Sequence, residues 1–183
     1  NEGYCNDLNL EITTNGTIIN DEIINRLAKV KSVNISISVD SVGNNYEFIR
    51  WPHKWEKMYS NLNYLNNKDL KNINIRIFNL VNIFNFEYLP QIEKLHSKLK
   101  YPISWSCEIQ PITHLQNYQN LPEHIIDYVK SQIKTSSLQK ALLPLDHNHS
   151  KESLKKEFEV LLTQRNMKAK DVIGPMTREY FKL

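Results

Sequence analysis

Four short runs of the sequence alternate between apolar and polar side chains, and this alternation is the strongest constraint on the fold. The runs are LNLEIT (Leu8–Thr13), VNISISV (Val33–Val39), NINIRIFNLV (Asn72–Val81) and ISWSCEI (Ile103–Ile109). Period-two alternation is typical of β-strands that bury one face. The segments between the runs are too long for hairpin turns and carry apolar residues three and four positions apart, which indicates helices. The pattern therefore predicts βαβ units and a parallel sheet.

The polar half of this alternation is unusual, because parallel strands that are covered on both faces read as continuous apolar runs. In the second run, Asn34, Ser36 and Ser38 point away from Ile35 and Ile37. Helices are therefore expected on one face only. The other face must meet water, a ligand or polar partners, since an unpaired buried polar group costs about 1–3 kcal/mol. Two interpretations stay open: a two-layer sheet with one solvated face, or the inner wall of an open α/β barrel lined for a polar ligand.

The pattern changes after Pro111, beyond which only helices and loops are indicated. Pro122 suits the first turn of a helix, and Ser150 suits the N-cap of a final amphipathic helix. We therefore divide the chain into a first segment, residues 1–112, and a helical C-terminal tail, residues 113–183. The expected fold class is α/β, with parallel strands followed by this helical tail.

Composition and charge limit the classes of function. The 183 residues carry a formal net charge of only +3, and Lys and Arg are scattered, which does not favour nucleic-acid binding. No apolar run approaches the ~20 residues of a membrane span, and no secretory signal is visible at the start. Cys5 and Cys107 are far apart, without metal-ligand spacing or a disulfide framework, so a reducing, cytoplasmic location is expected.

No residue pattern identifies a catalytic group or a metal site. The chain shows no nucleophile–His–carboxylate arrangement and no paired carboxylates, so a conventional barrel lyase or hydrolase is not supported. Cys107 is expected to be a core thiol, and His147 and His149 are expected to be loop residues without further ligands at fitting spacing. Catalytic residues therefore stay unassigned.

Motifs at the C-terminal ends of the predicted strands occur in an order that is similar to a known family. Thr-Asn-Gly ends the first strand, Ser-x-Asp ends the second, and a Tyr/Arg segment with a helix beginning near a Trp follows. These motifs resemble the radical S-adenosylmethionine (SAM) superfamily, most closely its twitch-domain-containing members, over nearly the whole chain. The similar segments are Thr13–Thr17, Ser36–Leu65, Asn79–Leu95 and Glu108–Ile125, together with the late pair Arg165 and Pro175.

The resemblance implies an enzyme that reductively cleaves SAM at a [4Fe–4S] cluster and starts hydrogen-atom abstraction from an unidentified substrate, a peptide or a small molecule. The Cys-x3-Cys-x2-Cys motif that ligates the cluster is absent, as are the Gly-Gly-Glu segment and the twitch cysteines. Because the chain opens at Asn1, directly before a strand that resembles the third of the barrel, we expect a fragment, the C-terminal half of a partial (β/α) barrel. This fragment alone is expected to hold no cofactor and to be inactive. The alternative is a non-catalytic α/β binding or assembly module.

The same resemblance assigns a cofactor-binding set. Ser38 and Arg50 align with residues that hold the methionyl and ribose side of SAM. Asp40 and Asn15 follow strands at the same rim and complete the set, which contains no metal ligands. Asp40 is two residues after Ser38, so it is expected to continue the strand alternation and to share a face with Ser38. A guanidinium matches a carboxylate bidentately, so Arg50 is expected to turn back towards Ser38 at the C-terminal rim of the sheet.

Two further expectations concern the polar face and the edge of the sheet. Glu11, Arg76 and Glu108 are expected to line the polar face, either in a mutual ion pair or in contact with substrate. As half of a barrel, the sheet should also leave the edge of Leu8–Thr13 unpaired, and self-association along that strand is expected.

Overall fold

Four parallel strands form one open sheet in the order β1-β2-β3-β4. The computed structural model describes residues 7–106, 117–142 and 150–183. The strands are β1 (Asn9–Thr14), β2 (Ser32–Ser38), β3 (Ile73–Leu80) and β4 (Ile103–Ser106). The predicted α/β class and the parallel strand order are confirmed. The remainder of the predicted fourth strand, including Cys107 and Glu108, lies outside the described residues.

Helices connect the strands and form the C-terminal part of the chain, as the apolar periodicity predicts. The first four are α1 (Asp21–Leu27), α2 (Gly43–Ile49), α3 (Trp55–Asn66) and α4 (Leu89–His96). Those after the sheet are α5 (Glu123–Gln132), α6 (Ser136–Ala141), α7 (Lys151–Gln164), α8 (Ala169–Val172) and α9 (Pro175–Phe181). Short 3₁₀ turns occupy Phe86–Tyr88 and Tyr118–Asn120. None of the described helices combines the length and the apolar character that crossing a lipid bilayer requires.

Side-chain caps define where two of these helices begin. The Asn20 side chain accepts a hydrogen bond from the Ile23 backbone N–H at 2.9 Å and starts α1. Ser150 accepts one from the Ser153 backbone N–H at 3.2 Å, which confirms its predicted role as the N-cap of α7. Such a cap satisfies one of the backbone donors that a helix start leaves unpaired.

The two faces of the sheet differ as the alternation predicts. On β2, Ile35 and Ile37 are buried under the helices, whereas Asn34 is exposed. On β3 the same division places Ile75 in the core and leaves Arg76 exposed. Burying an aliphatic side chain of this size stabilises the fold by about 1.5–3 kcal/mol. A one-residue shift in strand pairing would turn these side chains towards solvent, so their burial fixes the pairing register of the strands. β4 departs from this rule, because all four of its residues are half-buried.

The helical tail packs onto the C-terminal end of the sheet through a chain of aromatic rings. Phe84, in the loop after β3, contacts Phe48 of α2 with ring centroids 5.7 Å apart and Phe158 of α7 with centroids 4.9 Å apart. Phe158 in turn lies 5.2 Å from Phe181 of α9. One buried cluster therefore contains side chains from both of the segments into which the sequence divides the chain. Residues near the strand ends are held between the sheet and the tail.

Candidate functional site

Asp40 occupies the centre of the rim formed by the C-terminal strand ends. It lies two residues beyond the end of β2, is only 4% exposed, and has a left-handed backbone with φ of 61°. Asp and Asn adopt this conformation more readily than other non-glycine residues. The expectation that Ser38 and Asp40 share one face rested on an extended strand, and that alternation stops because β2 ends at Ser38.

The polar atoms of Asp40 join the ends of β2 and β3. Carboxylate Oδ1 accepts a hydrogen bond from the Leu80 backbone N–H at 2.8 Å, and Oδ2 forms an ion pair with Arg50 Nη2. The Asp40 backbone N–H donates to Asn79 Oδ1 at 3.0 Å, and its carbonyl accepts from Asn85 Nδ2 at 2.7 Å. Asp40 therefore joins the end of β2 to the end of β3, to Asn85 and to Arg50 through both its backbone and its side chain.

Several donors around this ion pair have no acceptor within the described ranges. They are Arg50 Nε, Asn79 Nδ2 and the Tyr46 hydroxyl, all of which are buried. Burial raises the pKa of Asp40 above its ordinary value, and the Arg50 charge opposes that rise. Burial also raises the pKa of Tyr46 to about 12, so its hydroxyl stays protonated at neutral pH. The rim thus contains buried donors that lack an acceptor among the described residues.

The predicted approach of Arg50 to the rim is found, but its partner is Asp40. Arg50 is the C-cap residue of α2, and its side chain is 27% exposed. Ser38 is half-buried at the end of β2, and no hydrogen bond joins its hydroxyl to Arg50 in the part of the chain that the structure describes. A buried carboxylate attracts the guanidinium more strongly than a neutral hydroxyl does.

Asn15 lies on the neighbouring loop of the same rim. Its Oδ1 accepts hydrogen bonds from the Thr17 backbone N–H at 3.2 Å and from the Thr17 hydroxyl at 2.8 Å. Its Nδ2 lies 3.3 Å from Nε2 of His53, three residues after Arg50. The loop can approach the sheet closely because residue 16 is glycine. Gly16 has φ of 68°, and a Cβ atom at this position would lie only 2.6 Å from Ile37 Cγ2. Asn15 is therefore next to the segment that carries Arg50.

The buried side chains of Asn45 and Asn85, which are not among the predicted site residues, hold the rim together. Asn45 Nδ2 donates to the Phe84 carbonyl at 2.9 Å and to the Val172 carbonyl at 2.6 Å, while its Oδ1 accepts from the Ser41 hydroxyl. Asn85 Nδ2 also donates to the Leu80 carbonyl at 2.7 Å. The clustering of asparagines just after two predicted strands was the available signal for this network.

Two charged side chains fix the helical tail to the same region. The Glu87 carboxylate accepts from the backbone N–H groups of Met176 at 3.1 Å and Thr177 at 2.6 Å, at the start of α9. Arg165 donates to the Phe48 carbonyl at the end of α2, with its guanidinium carbon 5.0 Å from the centre of the Phe48 ring. Both arrangements place a charge where the helix terminus favours it.

The uncovered face of the sheet contains a separate, shallow cavity of about 260 Å³. Glu11 and Arg76 both line it, as the sequence predicts, and they form no ion pair with each other across the described residues. Between them Asn74 Nδ2 donates to Asn34 Oδ1 at 3.1 Å. The predicted third member, Glu108, lies outside the described ranges.

Metal-binding groups are not found where the structure can be described. Residues 7–106, 117–142 and 150–183 contain no cluster of three or more His, Cys, Asp or Glu side chains that could hold a metal ion. Cys5, Cys107, His147 and His149 all lie outside these ranges, so the predictions made for them stay predictions.

Comparison with known proteins yields one match. A family model described as the Radical SAM superfamily matches residues 2–96, just over half of the chain. The matched segment contains β1 to β3 and the rim residues Asn15, Ser38, Asp40 and Arg50. Searches of curated proteins and of solved structures found no significant match.

Proposed function

This chain belongs to the radical SAM superfamily, and we propose that it supplies the SAM-binding wall of an enzyme that reductively cleaves SAM at a [4Fe–4S] cluster. Members of the superfamily use both SAM and such a cluster, and bound SAM supplies the chemistry of hydrogen-atom abstraction. In this proposal the four strands are the C-terminal half of a partial (β/α) barrel, and the parent protein is a twitch-domain-containing member in the reducing cytoplasm. The substrate is unidentified.

The observation that carries the proposal is the Asp40–Arg50 pair at the carboxyl ends of the strands, where parallel sheets bind their ligands. Arg50 uses Nη2 for Asp40 and retains a buried Nε without a partner among the described residues. A guanidinium that is already oriented by one carboxylate can bind a second one with little loss of conformational freedom. We assign the SAM carboxylate to Arg50 and further polar contacts to Ser38 and Asn15, while Asp40 orients Arg50.

The chain's own residues do not fit the cluster. A cubane cluster is normally held by cysteine thiolates, and the family motif provides three of them. This sequence contains only Cys5 and Cys107 and lacks the Cys-x3-Cys-x2-Cys spacing. We therefore propose that the cluster ligands come from a part of the protein outside this chain, and that the chain alone neither holds the cluster nor cleaves SAM.

Changing Arg50 tests the proposed SAM site. In cluster-reconstituted protein that includes this chain, Arg50→Lys should weaken SAM binding at least about tenfold, because lysine keeps the charge for Asp40 but loses the bidentate fork. Calorimetric titration measures the affinity, and the melting temperature and the cluster absorption show whether fold and cluster persist. Arg26→Lys is the matched control, since Arg26 pairs with Glu22 on the exposed surface of α1. Unchanged SAM affinity in Arg50→Lys and Arg50→Ala would remove Arg50 from the site.

The second candidate function is a non-catalytic α/β binding or assembly module, which the incomplete cysteine set favours. The two candidates differ in a direct assay. If the protein that includes this chain binds a [4Fe–4S] cluster on reconstitution and consumes SAM under reducing conditions, the enzyme is supported. If it binds neither iron nor SAM, the module is supported.

We also propose that this chain, when it is studied by itself, self-associates through the free edge of β1. β1 is the outermost strand and pairs only with β2 among the described strands, and Leu8 beside it is 43% exposed. An exposed strand edge is a template for pairing with another chain. Sedimentation velocity over a concentration series should show a dimer, which Leu8→Lys should weaken, because edge lysines oppose such pairing. A monomer at every concentration would count against this.

A further inference from the structure

The polar face of the sheet has no covering layer among the described residues. Parallel sheets almost always have both faces covered, yet here only one face lies under the described helices. The uncovered face holds the cavity of about 260 Å³, and the polar residues that line it include Glu11, Asn34, Ser36, Asn74 and Arg76. Its long polar side chains can hydrogen-bond to a ligand but offer it little apolar surface.

Two of the lining side chains carry opposite charges that are not used elsewhere. Glu11 on β1 and Arg76 on β3 are both exposed, and neither forms a hydrogen bond or an ion pair with any of the described residues. The side-chain amides of Asn34 and Asn74, which lie between the two charges, already form a hydrogen bond with each other. Among the described residues that line the cavity, Glu11 and Arg76 are therefore the charged groups that are free to select a ligand.

The strand register determines how far apart these charges stand. Glu11 is aligned with Asn34 and Asn74, whereas Arg76 is aligned with Ser36, two residues further along. Two strand spacings and a two-residue offset separate the Cα atoms of Glu11 and Arg76 by about 12 Å. A ligand that lies obliquely across β2 would meet both side chains.

We propose that this face binds an amino acid or a short peptide segment, with its ammonium group at Glu11 and its carboxylate at Arg76. The inference rests on the proposed function, because it names the substrate class for the same barrel wall. A guanidinium binds a carboxylate through paired N–H donors, and a carboxylate accepts from an ammonium group. A ligand with only one sign of charge would meet repulsion or an unused charge at the other end.

A ladder of ω-amino acids tests the proposal on the full chain. The probes are 4-aminobutyrate, 6-aminohexanoate and 8-aminooctanoate, compared with hexanoate and hexylamine, and binding is followed by NMR shifts of amides in β1 to β3. We expect one length of amino acid to bind about fivefold more tightly than either singly charged probe, since an exposed charge pair is worth at most ~1 kcal/mol. The optimal length reports the gap between the two charges.

Charge-removing variants separate the two contacts. Glu11→Gln should abolish the preference for the best-binding amino acid over hexanoate, and Arg76→Gln should abolish its preference over hexylamine. Glu22→Gln and Arg26→Gln, which remove an exposed pair on α1, are the matched controls and should change neither preference. Preferences that survive in both lining variants, or shifts that map away from the polar face, would overturn the inference.

Failure of this inference can be told apart from failure of the proposed SAM site. Arg50→Lys lies on the rim and outside the cavity lining, so it should leave probe binding unchanged while weakening SAM. If the protein shows no preference among the probes but Arg50→Lys still weakens SAM binding, the proposed substrate class is wrong and the SAM site stands. If the probe preference is found but Arg50→Lys leaves SAM affinity unchanged, the proposed SAM site is wrong and the substrate class stands.

Discussion

Replacing Asp40 with alanine is expected to lower the free energy of unfolding by about 3 kcal/mol, the low end of the range for breaking a buried ion pair. The substitution leaves Arg50 without its counterion and the Leu80 backbone N–H without its acceptor. The low end applies because the Arg50 side chain is 27% exposed and keeps some contact with water. Alanine is also less suited than aspartate to the left-handed backbone at this position. Urea denaturation followed by circular dichroism measures the change.

Asp40→Asn is the matched control for this prediction. Asparagine keeps the size, the tolerance of a left-handed backbone and an oxygen for the Leu80 N–H. It removes the negative charge and places an amide donor where the carboxylate oxygen accepts from Arg50. Its loss of stability should therefore be smaller than that of Asp40→Ala. An alanine variant within about 0.5 kcal/mol of the wild type would show that the rim does not depend on this side chain.

The stability of the wild-type protein should depend on pH through the same carboxyl. Burial raises the pKa of Asp40, against the opposing effect of Arg50. A carboxyl whose folded pKa lies above its unfolded value contributes stability that is present below the unfolded pKa and is lost as pH rises through the folded pKa. Asp40→Asn cannot titrate, so the stability of the wild type relative to this variant should fall as pH rises across that window. A constant difference from about pH 4 to about pH 7 would contradict the raised pKa.

Asn45→Ala is expected to destabilise the fold by about 3 kcal/mol, because it leaves several buried polar groups without partners at about 1–3 kcal/mol each. The carbonyls of Phe84 and Val172 would lose their shared donor, and the Ser41 hydroxyl would lose its acceptor. The neighbouring Asn44 is exposed, so Asn44→Ala should change the stability by no more than about 0.5 kcal/mol.

Hydrogen exchange would show whether Asn45 acts through the tail. Because its amide binds the Val172 carbonyl, Asn45→Ala should reduce amide protection in α8 more than in the central strand β2. Equal loss of protection in α8 and β2 would indicate general destabilisation. Unchanged exchange in α8 would contradict the proposed link between the rim and the tail.

Much of the fold could be predicted because the relevant patterns are local. Strand alternation at Ile35 and Ile37 gave the buried face of β2, and the neighbouring strand-like runs gave a parallel sheet that the structure confirms. The N-cap role of Ser150 could be predicted because a serine directly precedes an amphipathic segment. Each of these features depends on residues a few positions apart, where periodicity is informative.

The arrangement of the rim could be predicted only in part. The strand-end rule placed Asn15 and Asp40 at one edge, and the family resemblance placed Arg50 beside them, but their role in binding SAM stays a prediction. Asp40 was expected to continue the strand alternation, whereas its left-handed backbone turns its carboxylate towards Leu80 and Arg50. A polar residue after a strand gives the same local pattern whether it faces a ligand or bridges two buried loops.

The hydrogen bonds between the rim and the tail have a consequence for biosynthesis. Asn45 and Val172 are separated by 127 positions, Phe48 and Arg165 by 117, and Glu87 and Thr177 by 90. Contacts of such high sequence separation form late and slow the folding of a chain. On the ribosome, the sheet can assemble while the Asn45 amide and the Phe84 ring still await the tail. The nascent chain should therefore expose an apolar, chaperone-accessible surface at the strand ends until the last helices emerge.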